Sequence, residues 1–229
     1  PDALMNGQAI VDVIQHCVPN VKNAWDCTNL DLDLILIAIR LATYGEMMTV
    51  PVKFNDELEL EYRLDLRTVM DGLINRISWD PVVPINDELT VFVRPLTYKH
   101  ISRAAIEAFE TQKIMNVVND EKMSEEQKIK LFQESFAKLT DATLSTIINS
   151  IDRIESPGGV TSDPEHIYEF INNIDKDMYS KIESHLTKLR EQNNIKPMQV
   201  AVTEEMRAKG VTGDTVDVPI TFDPSTFFV

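Results

Sequence analysis

Residues 29–67, NLDLDLILIAIRLATYGEMMTVPVKFNDELELEYRLDLR, change their hydrophobic period once, and that change decides the fold. Leu32, Ile35, Leu36, Ile39 and Leu41 recur at helical steps through an almost wholly apolar stretch, so most of this helix's circumference should be buried. Gly45 ends it. Beyond the glycine, Met48, Val50, Val52 and Phe54 take every second position, and Leu58, Leu60, Tyr62 and Leu64 do the same after an Asn55-Asp56 turn. A helix therefore feeds a β-hairpin, whose second strand alternates its apolar set with Glu57, Glu59, Glu61 and Arg63, leaving one face wet and the other packed.

Working outward, residues 8–17 place Ala9, Ile10, Val13, Ile14 and Cys17 on one face of a short amphipathic helix, and Trp25 is the anchor of the irregular connection that follows. Downstream of the hairpin, Asp65 caps a helix carrying Leu66, Val69, Met70, Leu73 and Ile74. SWDPVVPIND reads as a proline-rich turn, and Leu89, Val91 and Val93 alternate as a strand halted by Pro95. Thr97 caps a helix running to Val118. Ser124 and Gln127 form a capping box that opens one unbroken helix to Glu155, with Phe132, Phe136, Leu139, Leu144, Ile147, Ile151 and Ile154 on its packed stripe.

Ser156-Pro157-Gly158-Gly159 is the clearest breaker and reads as a hinge or subdomain edge. Asp163-Pro164 restarts a helix with Ile167, Phe170 and Ile171, and Asp175 begins another with Met178, Ile182, Leu186 and Leu189 inside. The end of the chain alternates again, through Met198, Val200 and Val202 and then VDVPITFDP, as a second hairpin or an added strand. The echo between Val50-Pro51-Val52-Lys53-Phe54 and Val218-Pro219-Ile220-Thr221-Phe222 puts a proline in each strand, which suits an edge position. The expected fold class is α+β, mainly α-helical, with amphipathic helices packed with one or two small β-hairpins. The expected subdomains are 1–96, a helix plus β-hairpin; 97–156, the long helices; and 157–229, a helical pair with a C-terminal strand or hairpin tail.

Composition excludes several functions. Lys and Arg number 22 against 37 Asp and Glu, a net charge of −15, and no segregated basic patch offsets it, so nucleic acid is not an expected partner. No apolar run is long enough for a membrane span. Cys17 and Cys27 lack the further ligands of a zinc site; reduced thiols are the default, and their spacing also permits a disulfide. His16, His100, His166 and His185 are scattered, and the nucleophile-elbow, phosphate-loop and dinucleotide-binding patterns are absent. Asp31 and Asp33 sit at a helix start, where the dipole favours them. No catalytic residue, cofactor or metal is expected, and the reading is of a protein that is not an enzyme.

Several stretches together resemble a known family. IAIRLATYGEMM leading into a hairpin that ends EYRLDLR, VRPLTYKH opening a helix, and VPITFDPSTFF at the terminus are similar to the baseplate hub and tail-assembly proteins of T4-type contractile-tailed phages. The resemblance implies a structural or assembly protein of the virion tail baseplate. It would be assembled in the host cytoplasm, with other hub proteins and copies of itself as partners. A transient assembly chaperone absent from the virion and an unrelated cytoplasmic helical adaptor are the alternatives. Some members carry cysteine pairs at a hairpin resembling a zinc ribbon; between Val50 and Glu61 there is none here, so no metal carries over. By that resemblance the family's usual N-terminal segment would be short or missing here. The candidate interface residues are Glu57, Glu59 and Glu61 on the wet face of the hairpin and Phe227, Phe228 and Val229 at the terminus. The terminal aromatics either tuck into the core or engage a partner.

Overall fold

The computed structural model describes residues 7–55, 58–75, 77–118 and 124–218. It is a mainly helical α+β protein with small antiparallel sheets, as the sequence predicts. Contacts divide the chain into two compact units, one of Pro1–Leu32 with Ser78–Glu191 and one of Asp33–Ile77 with Gln192–Val229.

The first unit opens with α1, Gln8–Cys17, which buries Ile10, Val11 and Ile14. Cys17 is exposed and Val11 takes the inner side, so the packed stripe is rotated from the expected one. Gly7 caps this helix with φ of 79°, and a Cβ there would lie 2.7 Å from Tyr98 Oη and 2.8 Å from Ser102 Oγ. Both the backbone and the space demand glycine. Trp25 stacks on Tyr98, centroids 5.4 Å apart, anchoring the connection as expected. Thr28 accepts from the Asp31 N–H at 3.2 Å and donates to Asp31 Oδ2 at 2.7 Å, closing the start of α2, Asn29–Tyr44.

A four-stranded antiparallel sheet holds the core of this unit. Its order is β3 (Val82–Pro84), β4 (Thr90–Val93), β5 (Ile151–Ser156), β6 (Gly159–Thr161), the label sequence being set by β1 and β2 in the second unit. Val83, Val91, Val93, Ile151 and Ile154 pack with Ile147, with Ile167 and Ile171 of α6 (Pro164–Asn173), and with Ile182, Leu186 and Leu189 of α7 (Lys176–Asn193). Each buried Ile or Leu stabilises by roughly 1.5–3 kcal/mol. Polar ties fix α7 over the edge: Lys181 Nζ donates to the Ile85 carbonyl at 2.7 Å, and His185 Nε2 lies 2.9 Å from the Asp80 carbonyl oxygen.

Three expectations are corrected here. Ile151 and Ile154 belong to a strand, because the long helix α5, Glu125–Asn149, stops short of them. Their three-residue spacing mimics a helix through a β-bulge: Phe92 pairs with Arg153 and Val93 with Ile151, so Asp152 is the extra residue and both isoleucines face inward. The Ser156–Gly159 stretch is the tight turn of the β5–β6 hairpin, with Ser156 paired to Gly159, and not a hinge. Val82–Pro84, read as turn, is an edge strand, the position in which a sheet tolerates proline.

In the second unit β1, Met47–Asn55, pairs antiparallel with β2, Leu58–Asp65, as the expected hairpin: Met48 opposes Leu64, Val50 opposes Tyr62 and Val52 opposes Leu60. Asp65 then caps α3, Leu66–Ile74, accepting from the Arg67 N–H at 2.9 Å. Leu58, Phe54 and Leu60 pack with Val202 and Met206 from the C-terminal part. There β7 (Met198–Ala201) pairs with β8 (Thr215–Val218) across α8 (Glu204–Ala208), a short helix capped by Thr203. The proline of the VPITF echo lies outside the described residues.

Candidate functional site

Helices α4 (Tyr98–Val118) and α5 (Glu125–Asn149) form an antiparallel-running pair joined through residues 119–123. The Ser124 capping box starts α5 as expected: Gln127 N–H donates to Ser124 Oγ at 3.3 Å, and the Ser124 N–H donates to Gln127 Oε1 at 3.2 Å. Thr111 of α4 and Ser135 of α5 are buried, and the Ser135 hydroxyl, 1% exposed, has no hydrogen-bond partner among the described residues. Arg103, Glu107, Glu110 and Thr111 of α4 and Lys138, Asp141, Ala142 and Ser145 of α5 line a cleft of about 340 Å³.

Four large apolar side chains in the first turns of α5 are left in solvent. Ile129, Phe132, Phe136 and Leu139 are 57%, 51%, 62% and 42% exposed, whereas Ile147, on the same helix, is 5% exposed. The expectation that Phe132, Phe136 and Leu139 share one packed stripe with Leu144 and Ile147 is therefore corrected. Ile129 and Ile147 are eighteen residues apart, about five full turns, so they share one side of the helix, and Phe136 lies only about 20° from it. That side is covered around Ile147 by the sheet and by α6 and α7, and is open in the first turns.

The proposed carboxylates lie elsewhere. Glu59 and Glu61 are exposed together on the outer face of β2, opposite Lys53 and Pro51 of β1. Glu57, Phe227, Phe228 and Val229 lie outside the described residues. Electrostatics mark no catalytic group. Asp33 on α2 is half-buried, and burial raises its carboxyl above the usual range. His100 is lowered, first by burial and then by Arg94, Lys99 and Arg103. Cys27, half-buried and free, is raised by burial and by Asp31 and Asp26. Among the described residues no cluster of three or more His, Cys, Asp or Glu is placed to hold a metal ion. No helix among them is long and apolar enough to cross a membrane.

The family described as T4 bacteriophage base plate protein matches residues 2–211. The chain belongs to that family. No curated protein and no solved structure matches it. Membership makes this a bacteriophage base plate protein, with a structural role in the tail base plate of the virion and other base plate proteins as its partners.

Proposed function

We propose that this base plate protein is a non-enzymatic component of the central hub of a contractile tail, built in through protein–protein contacts during assembly in the host cytoplasm. The observation that carries the reading is the row Ile129, Phe132, Phe136 and Leu139, left exposed in the first turns of a helix whose C-terminal end is packed into the core. A chain that spends its large apolar residues on an outer face gains from them only when another surface covers that face. Glu59 and Glu61, with Glu57, Phe227, Phe228 and Val229, form a second and separate set of contact candidates.

Mass spectrometry of purified particles tests the role. A permanent component is present at fixed stoichiometry in mature virions. Presence in assembly intermediates and absence from virions would make it a transient assembly chaperone instead. Reversing Glu59 and Glu61 to lysine, or deleting residues 227–229, lowers incorporation while the helical circular dichroism stays unchanged. Unaltered incorporation would remove these residues from the contact set.

A further inference from the structure

We infer that the outer face of α5 pairs with the same face of a second copy of this chain, the two helices running antiparallel about a two-fold axis. The inference rests on the contact-protein reading above and names one occupant for its surface. The exposed residues sit at 129, 132, 136 and 139, steps of three, four and three. That is the spacing of a coiled-coil seam, in which each side chain fills a gap between four residues of a facing helix. The partner surface is therefore a helix.

The order of the row selects which helix. Read backwards, the steps are again three, four and three, and the residues run aliphatic, aromatic, aromatic, aliphatic in either direction. A two-fold interface requires this self-complementarity, since each contact must occur twice. Antiparallel pairing sets Ile129 of one copy against Leu139 of the other and Phe132 against Phe136. The four centres span about 15 Å of helix, enough for a short seam.

Charge points the same way. The chain as a whole carries −15, which opposes self-association over most of its surface. Around the seam, Glu125, Glu126, Glu134 and Asp141 are nearly matched by Lys128, Lys130 and Lys138. A parallel pair would hold both copies of Glu125 and Glu126 side by side. The antiparallel pair separates the two copies of this cluster, setting each opposite Ala142 and Thr143 of the partner helix, where Asp141 is the one acidic neighbour, and opposes the two helix dipoles.

Area also suffices for a modest dimer. Side chains of this size at 42% to 62% exposure present roughly 400 Å² of apolar surface per copy. With the flanking atoms, pairing approaches the ~1,200 Å² at the low end of specific interfaces. A reversible dimer is the expected result.

The test uses the full chain. Sedimentation and light scattering over a concentration series should show a monomer–dimer equilibrium, lost in Phe136→Ser and in Ile129→Ser, with each variant checked for native circular dichroism. In a Cys17→Ser background, Phe132→Cys and Phe136→Cys chains should form a disulfide-linked dimer when mixed and little when oxidised alone. A wild-type protein that stays monomeric, or variants that associate as the wild type does, overturns the pairing. Cross-linking of each cysteine variant with itself overturns the antiparallel arrangement. A monomeric protein that is nonetheless present in virions would sink the pairing and leave the base plate role standing.

Discussion

The two ends of α5 are used in opposite senses. Near its C-terminus Ile147 is buried among Val91, Ile151, Ile171 and Leu189, with Leu144 and Ile148 packed around it. In its first turns Ser135 is the buried residue, and Ile129, Phe132 and Phe136 are out in solvent. One end therefore belongs to the fold and the other to whatever the fold is for. Apolar content along a helix does not by itself say which. What packs against that stretch of the helix does.

The sharpest break would come from the buried end. Ile147→Ala should cost about 3 kcal/mol, from lost burial plus the cavity left between sheet and helices. Urea unfolding followed by circular dichroism measures it. A cost below about 1 kcal/mol would mean that this end is as loosely held as the other, and the contrast would collapse.

The free end depends more on local chemistry, and its cap should show it. Ser124→Ala removes the hydroxyl that accepts from Gln127 and should cost about 1 kcal/mol. Amide hydrogen exchange in the first turn of α5 should accelerate, while exchange around Ile147 stays unchanged. Equal acceleration at both ends would show the helix to be one cooperative piece.

Such caps were legible in the sequence because their signal is local. Ser124 with Gln127, Asp163 with Pro164 and Asp65 before Leu66 each place a side-chain oxygen within reach of free N–H groups, whatever the rest of the chain does. The first hairpin was legible because period two is maintained along both strands without interruption. Strand β5 was not, since the inward spacing of Ile151 and Ile154 is created by a bulge against β4, a partner nearly sixty residues away in sequence. The edge strand Val82–Pro84 has no period at three residues, and α8 is one turn long. Of the contact candidates, outward exposure of Glu59 and Glu61 follows from alternation alone. The row on α5 was misread because Ile129, Phe136 and Ile147 lie on nearly the same side of the helix, and only the sheet and the helices packed at its C-terminal end decide which part of that side is covered.

Ser135 sharpens the comparison from inside. Its hydroxyl is buried with no partner, a state that costs about 1–3 kcal/mol relative to a satisfied group. Ser135→Ala keeps the small volume the helix pair requires and removes the orphan, so it should leave stability unchanged or raise it by up to about 1 kcal/mol. A clear loss would show that the hydroxyl is bonded in solution and that the inner face is better satisfied than its geometry implies.

The smallest effect is expected where the side chain is largest. Phe136 is 62% exposed, so Phe136→Ser removes little buried surface from a single chain, and at dilution the unfolding free energy should shift by less than about 0.5 kcal/mol. Concentration separates the two roles of the residue. If the face is covered by a second copy, raising the concentration stabilises the wild type by mass action and its melting temperature climbs. The Phe136→Ser protein gains nothing from that term, so its melting temperature should stay flat over the same series. Two parallel rising curves would mean that association uses another surface. Two flat curves, with a large loss in the variant at every concentration, would mean that Phe136 is packed within its own chain, and the division between the two ends of α5 would be wrong.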